Sequence, residues 1–184
     1  MRPVVKKIVK EATLIKFMTI TGGTVAGLFF ASMTGLIAKI PGLLLVIPAF
    51  MNMRGEIFSS FGARLATKLH LGLVEPKYTP SRSVLVSALS YLALSSSRVL
   101  IITLLGYITS LLIGVRIDPL LILSLLFLAL LISFSILLPF SFLADVFFFR
   151  RGYDPENMIG PLMMSFSDMI SLYSMILSAF LMGV

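Results

Sequence analysis

The stretch PLLILSLLFLALLISFSILLPFSFLADVFFF, residues 119–149, contains a single charged side chain, Asp145. A helix needs about 20 apolar residues to cross the hydrocarbon core of a bilayer. This stretch exceeds that length, so we expect a span over about 118–149 that tilts, projects beyond the lipid or bends at Pro139. No water-soluble fold of this size could bury so much apolar sequence, and the stretch therefore indicates a helical membrane protein.

The rest of the chain repeats this pattern. Of its 184 residues, 58% are hydrophobic and only 12% are charged, whereas a soluble domain carries about 25% charged residues. Short charged or Pro/Gly-containing joints separate further apolar stretches, which predicts spans at about 17–38, 42–70, 84–114 and 155–183. The fold class is therefore all-α: a five-helix membrane domain over 17–184, preceded by a basic segment over 1–16.

The basic residues predict how the chain is oriented. With the N-terminus in the cytoplasm, the inner joints carry Arg2, Lys6, Lys7, Lys10, Lys16, Lys68, Lys77, Arg82, Arg150 and Arg151, and the outer joints carry Lys39 and Arg116. Cytoplasmic joints are enriched in Lys and Arg, so we expect a multi-pass protein of the cell membrane with its C-terminus outside. Segment 1–16 is expected to be an interfacial helix on anionic lipid, the alternative being a basic tail.

Several function classes are disfavoured by what the sequence lacks. The net charge of +7 follows from basic residues at the ends of apolar segments, which does not indicate a nucleic-acid partner. The chain has no cysteine, so a thiolate metal site is excluded. Gly-rich phosphate loops, zinc motifs and catalytic serine motifs are absent from the sequence, so we do not expect an enzyme. His70, near a span end, is expected to be structural.

Asp168 is the first candidate for chemistry because it is a lone charge in the middle of the fifth span. Such a charge costs at least about 2.5 kcal/mol on insertion scales, so it needs a partner or a hydrated cavity. Ser165 and Ser171 lie three residues to either side on the same helical face. Oxygen ligands suit a hard cation such as Mg²⁺. The alternative is that Asp168 pairs with Arg98 or Arg54 and only holds the bundle together.

Glu56, on the second span, is the other acidic candidate. A strip of small residues lies beside it, consisting of Gly55, Ser59, Gly62 and Ala66. Such a strip either packs tightly against another helix or lines a pore. Glu56 then either faces water or pairs with Arg54 or Arg64 of a neighbouring chain.

Two further groups have mainly structural interpretations. Gly23, Gly27, Ala31 and Gly35 recur every four residues along the first span, a spacing that allows close helix packing. Acidic side chains near the cytoplasmic mouth either attract cations or pair with Arg150 and Arg151. This second group consists of Asp145, Asp154 and Glu156.

Two stretches resemble the MgtE-like Mg²⁺ transporters, especially the solute-carrier branch of that superfamily. The stretch PAFMNMRGEIFSSFGARLATKLHLG, residues 48–72, matches the signature at Pro48, Ala49, Arg54, Gly55, Arg64, Leu65, Thr67 and Gly72. The stretch DPENMIGPLMMSFSDMISL, residues 154–172, matches the fifth-span motif at Asp154, Pro155, Asn157, Pro161 and Asp168. Five spans with the N-terminus inside also agree with that family.

The resemblance implies a specific site. In that family the acidic residue matching Asp168 binds Mg²⁺, the transported ion, in a pore on the axis of a homodimer, between the second and fifth spans. Glu56 stands where the family usually has Asn, and the added acid would strengthen cation attraction or change selectivity. The expected metal site therefore comprises Asp168, Glu56, Ser165, Ser171 and Gly55. The single membrane unit implies a homodimer.

The sequence leaves the mode of transport open. A channel would pass Mg²⁺, and other divalent cations, down their own electrochemical gradient. An exchanger would couple the movement to Na⁺ or H⁺. A membrane scaffold that transports nothing is a third interpretation, in which the polar side chains only assemble the bundle.

Overall fold

The fold is a bundle of α-helices. The computed structural model describes residues 2–115, 117–153 and 155–184, with the backbone alone at 2–8, 10–12, 14 and 155–157. Its helices are α1 (Arg2–Ser32), α2 (Thr34–Lys39), α3 (Leu43–His70), α4 (Arg82–Ile113), α5 (Pro119–Arg150) and α6 (Pro155–Leu181). The described residues form no strand, and the predicted all-α class is confirmed.

Local sequence chemistry sets the ends of the long helices. At the start of α5 the Asp118 carboxylate accepts hydrogen bonds from the backbone N–H groups of Leu120 and Leu121, at 2.9 and 3.3 Å. Pro119 occupies the first turn, where its missing N–H costs nothing. α4 ends at Gly114, whose φ of 74° is the left-handed conformation that glycine adopts without strain.

The N-terminal third differs from the sequence expectation in its helix boundaries. α1 runs without interruption from Arg2 to Ser32, so the backbone has no break where segment 1–16 was expected to meet the first span. The helix instead turns at Met33 and continues as the short α2. The side chains of Lys6, Lys7 and Lys10, on which the interfacial interpretation depends, lie outside the described residues.

The small-residue ladder runs from α1 into α2, and its glycines make no close helix contact among the described residues of the chain. A Cβ atom built on Gly23, Gly27 or Gly35 would meet no atom within 4 Å. Gly22, which lies outside the ladder, is the glycine of α1 that contacts another helix, because its Cβ would come 2.9 Å from Ser165 Oγ of α6. The close packing expected at the ladder is therefore not made within the described part of the subunit.

Four helical segments are long and apolar enough to cross a membrane. They are Ile15–Ser32, Arg82–Ile113, Pro119–Arg150 and Met158–Leu181. α3, with 28 residues, is also long enough to cross a membrane, but its charged side chains distinguish it from these four segments. The chain is therefore a multi-pass membrane protein with four candidate spans in the described residues, and the fifth span, at α3, stays a prediction.

α6 lies at the centre of the bundle and packs against α1, α3 and α5, while α4 packs against α3 and α5. α3 and α6 run antiparallel, since Gly55 faces Met164 whereas Ser59 contacts Gly160. α5 continues as a helix through Pro139. The bend expected at that proline stays a prediction.

Candidate cation-binding site

The strip of small residues on α3 packs against α6. The Ser59 hydroxyl donates to the Gly160 carbonyl at 3.0 Å. A Cβ on Gly55 would lie 3.6 Å from Met164 Cα, and a Cβ on Gly62 would overlap the Ile159 side chain. Of the two interpretations of this strip, close packing is the one that the subunit realises. The strip fixes the two helices that carry Glu56 and Asp168 against each other.

Asp168 is half-buried on α6. In the described part of the chain its carboxylate makes neither a hydrogen bond nor an ion pair. The antiparallel register places it one helical turn beyond the Gly55–Met164 contact, level with Met51 and Asn52 of α3. Because Asp168 is only half-buried and has no partner in the described part of the subunit, its carboxylate can still bind a ligand from outside the subunit.

The basic residues suggested as partners of Asp168 are engaged elsewhere. Arg54 is completely buried, and its guanidinium carbon lies 4.8 Å from the ring centre of Phe58 and 5.8 Å from that of Phe134. None of its side-chain nitrogens has a hydrogen-bond partner among the described residues. Arg98 contacts Glu56 instead. The structure therefore does not contain the pairings that a purely structural role for Asp168 would require.

Glu56 has two partners on its own chain. Its Oε2 accepts a hydrogen bond from Arg98 Nη1 of α4 at 3.0 Å, and its Oε1 accepts one from Asn52 Nδ2 at 3.1 Å. Pairing with Arg54 or Arg64 of a neighbouring chain, the alternative considered from the sequence, stays a prediction. The carboxylate is about half exposed, but its charge is compensated by Arg98.

The two serines that flank Asp168 differ in environment. The Ser165 hydroxyl donates to the Thr19 carbonyl of α1 at 2.7 Å, which commits it to a helix contact. Ser171 is completely buried, and its hydroxyl has no hydrogen-bond partner in the described chain. Within the described ranges, no three His, Asp or Glu side chains form a ready-made metal cluster. Asp168 therefore carries the accessible oxygens of this face.

Asp145 is buried more deeply than its position near a helix end indicated. Its side chain is completely buried, and neither carboxylate oxygen has a hydrogen-bond partner in the described residues. Its Oδ2 would lie 3.3 Å from a Cβ on Gly62 of α3. The apolar residues on both sides of Asp145 are the sequence signal that could have indicated this burial.

Arg150 and Arg151, which were considered as partners of the acidic residues near the cytoplasmic mouth, stack on aromatic rings. Arg150 lies 5.2 Å from the ring centre of Tyr78, and Arg151 lies 4.8 Å from that of Phe147. Asp154 and the side chain of Glu156 lie outside the described residues. The ring of His70 packs against Phe149 with ring centres 5.2 Å apart, which fits a structural role.

The fold and this site define the class of protein: a polytopic helical membrane protein with an unpaired carboxylate between its helices. A model of the MgtE family, described as a divalent cation transporter, matches residues 47–178. The match extends from α3 into α6 and includes both motif stretches, so the chain belongs to the MgtE family of divalent cation transporters. No curated protein and no solved structure gives a significant match.

Membership of this family gives the general function. The family transports divalent cations, Mg²⁺ among them, and is a family of transporters. The general activity is therefore divalent cation transport across a membrane, and the role of Asp168 is considered in relation to that activity.

Proposed function

We propose that the chain conducts Mg²⁺ across the cell membrane through a pore on the two-fold axis of a homodimer, lined by α3 and α6 of both subunits. The observation that carries the proposal is the half-buried carboxylate of Asp168, which lacks a partner in the described residues while the neighbouring acid, Glu56, has one. Family membership supplies the class of ion.

The chemistry of Mg²⁺ explains why one carboxylate from each subunit would be enough. Mg²⁺ gives up its water reluctantly and is commonly held by one or two carboxylates with several waters retained. Two Asp168 carboxylates facing each other across an axis would repel, and a shared divalent cation removes that repulsion. In this arrangement the ion passes largely hydrated, with its waters hydrogen-bonded to the pore wall.

The other residues of the expected site have supporting roles in this proposal. Gly55 lies in the contact of α3 with α6, next to Met164 and Ser167. Glu56 adds negative potential that Arg98 reduces. Ser165 holds α6 to α1 through its hydrogen bond. Ser171 lies one turn from Asp168 on α6, and its hydroxyl, which has no partner in the described residues, could donate or accept a hydrogen bond.

The proposal requires α3 to be the fifth span. Its charged residues argue against a lipid-exposed helix, but the bundle accommodates them within the subunit: Arg54 is buried between aromatic rings and Glu56 pairs with Arg98. A polar span is tolerated where neighbouring helices satisfy its side chains. Five spans put the two termini on opposite sides, and the excess of Lys and Arg in the inner joints then favours a cytoplasmic N-terminus and an outer C-terminus. Segment 1–16 would lie at the inner lipid interface, with the transport domain over 17–184.

Transport by purified protein in liposomes tests the proposal. We expect a Mg²⁺ gradient alone to drive flux, and Asp168→Asn to abolish it while the protein remains folded and dimeric. Mg²⁺ should raise the Tm of the wild type but not that of Asp168→Asn, because the variant lacks the charge that holds the ion. Glu75→Gln, in an exposed joint, is the control and should behave as the wild type.

Each other result has a defined meaning. Normal flux and normal stabilisation by Mg²⁺ in a folded Asp168→Asn dimer would refute the site. Flux that strictly requires a Na⁺ or H⁺ gradient would replace the channel by an exchanger. Loss of assembly in Asp168→Asn, with flux lost only as a consequence, would favour the scaffold interpretation.

A further inference from the structure

A cavity of about 390 Å³ opens between α3 and α4, away from the contact of α3 with α6. The residues of its wall that matter here are Phe61, Arg64, Lys68, Ser87, Ser90 and Tyr91. Arg64 and Lys68 are one helical turn apart on α3, so both cationic groups face one space. Neither belongs to the candidate cation site.

The cavity presents positive charge that is not balanced nearby. None of the residues along its wall is acidic, and neither Arg64 nor Lys68 forms an ion pair in the described part of the chain. The acidic side chain of Glu56, two turns earlier on α3, is already held by Arg98. Two uncompensated cations beside a concave surface attract an anion.

Hydrogen-bond donors are available at the same place. Lys68 Nζ donates to Ser83 Oγ at 3.2 Å and to Ser87 Oγ at 3.1 Å, which leaves its third N–H free. The Arg64 guanidinium lies 6.0 Å from the Tyr91 ring centre and makes no hydrogen bond in the described chain, so its N–H donors remain unused. Tyr91 is itself fixed by the Ser60 hydroxyl at 3.1 Å.

The surroundings favour a lipid over a free ion. The walls of the cavity include Leu65, Val84 and Val86, and apolar atoms dominate its lining. On the adjoining surface of α4, Val86 and Leu89 are 56% and 67% exposed. An acyl chain could lie along this face while the phosphate of the same molecule reaches Arg64 and Lys68. A free phosphate would leave the apolar part of the cavity empty.

We propose that this cavity binds the headgroup phosphate of an anionic phospholipid. Basic pockets between membrane helices on the cytoplasmic side bind such headgroups, and the orientation proposed above places the C-terminal end of α3 at that leaflet. The bound lipid bridges α3 and α4 about two helical turns from the Glu56–Arg98 ion pair, toward the C-terminal end of α3.

Binding in detergent tests the site without reference to transport or orientation. The wild type, Arg64→Gln, Lys68→Gln and the double variant are titrated with phosphatidylglycerol, phosphatidylcholine or inorganic phosphate. Native mass spectrometry counts bound lipid, and Tm reports stabilisation. We expect the apparent Kd for phosphatidylglycerol to rise about fivefold for each charge removed and about 25-fold for both. Lys68→Arg should retain binding.

Three controls separate the site from other effects. Lys39→Gln removes a basic residue outside the cavity, and Asp168→Asn removes the proposed ion site; both should bind phosphatidylglycerol as the wild type does. Ser90→Phe keeps the charges but fills the cavity, and should weaken binding. If the double charge variant does not fold, lipid binding by Ser90→Phe tests whether the cavity is the binding site.

Two results would overturn the proposal. The first is unchanged preference for phosphatidylglycerol over phosphatidylcholine in a folded double variant or in folded Ser90→Phe. The second is equal stabilisation of the wild type by inorganic phosphate, which would make the cavity a site for free anions.

Discussion

Arg98 of α4 donates a hydrogen bond from Nη1 to Oε2 of Glu56 on α3, with the two atoms 3.0 Å apart. The pair joins α3 to α4. Glu56 directly follows Gly55, which lies in the contact of α3 with α6. Each member would be a costly charge in a lipid environment without the other. The pair therefore allows α3 to carry an acid close to the proposed ion path without presenting an unbalanced charge.

Separating this pair should destabilise the protein more than removing both charges. We expect Arg98→Gln and Glu56→Gln each to lower the free energy of unfolding, and the double variant to recover part of the loss. The coupling should be about 1 kcal/mol in detergent, since both side chains are partly exposed. Chemical unfolding of the four proteins measures it as a double-mutant cycle. Strict additivity of the two single effects would contradict the prediction.

The pair formed by Glu75 and Lys77 is the matched control. It lies in the joint between α3 and α4, and its side chains are mostly exposed. The hydrogen bond and the charge of Lys77 hold the pKa of Glu75 below its usual range and raise that of Lys77. Solvent screens such a pair, so the same cycle on Glu75 and Lys77 should give a smaller coupling than the cycle on Glu56 and Arg98.

A second prediction concerns the contact between α3 and α6. A methyl group on Gly62 would overlap Ile159, so Gly62→Ala should lower the free energy of unfolding by about 1–3 kcal/mol. Gly27→Ala is the control, because a Cβ there meets no atom of the described chain within 4 Å. Equal losses in both variants would show that the two sites are not distinguished by packing within the subunit. Loss of the dimer in Gly27→Ala would place a subunit contact on α1.

Much of the helical framework was predictable because prolines, glycines and charges separate its helices. The expected spans at 42–70, 84–114, 118–149 and 155–183 differ from α3, α4, α5 and α6 by at most two residues at each end. The turn at Met33 was missed because neither Met33 nor its neighbours Ser32 and Thr34 interrupt a helix as a proline does. The continuity of α1 was missed because a helix can leave the lipid without any change in its backbone.

The pairing of side chains at the candidate site was less predictable. The sequence indicated that Glu56 and Asp168 need partners, but the periodicity of one helix does not say which neighbour it faces. The polar side chains of α4 and α5 are spread around both helices, so no single polar stripe fixes how each helix is rotated. The Arg98 partner of Glu56 and the burial of Arg54 therefore required the packed structure.

The number of spans can be tested by labelling, since the chain has no cysteine. With five spans, Lys77→Cys should react with an impermeant maleimide only when the cytoplasmic side is exposed, and Val184→Cys only from outside. If α3 did not cross, Lys77→Cys would label from outside and Val184→Cys from the cytoplasm. Intact cells and inverted vesicles, with flux as a check on folding, distinguish these patterns.

Disulfide crosslinking one helical turn from the proposed ion site can test whether α6 lies at the axis of a dimer. Met164 on α6 is 49% exposed, so Met164→Cys should form a crosslinked dimer on oxidation if α6 faces its copy across the axis. Leu112→Cys, on α4 and 82% exposed, is the control and should remain monomeric on a denaturing gel. Because two unshielded Asp168 carboxylates repel across the axis, Mg²⁺ should increase crosslinking at Met164→Cys, and this increase should vanish when Asp168→Asn is added. Equal crosslinking at both positions, or a response to Mg²⁺ that survives Asp168→Asn, would contradict an ion shared between the subunits.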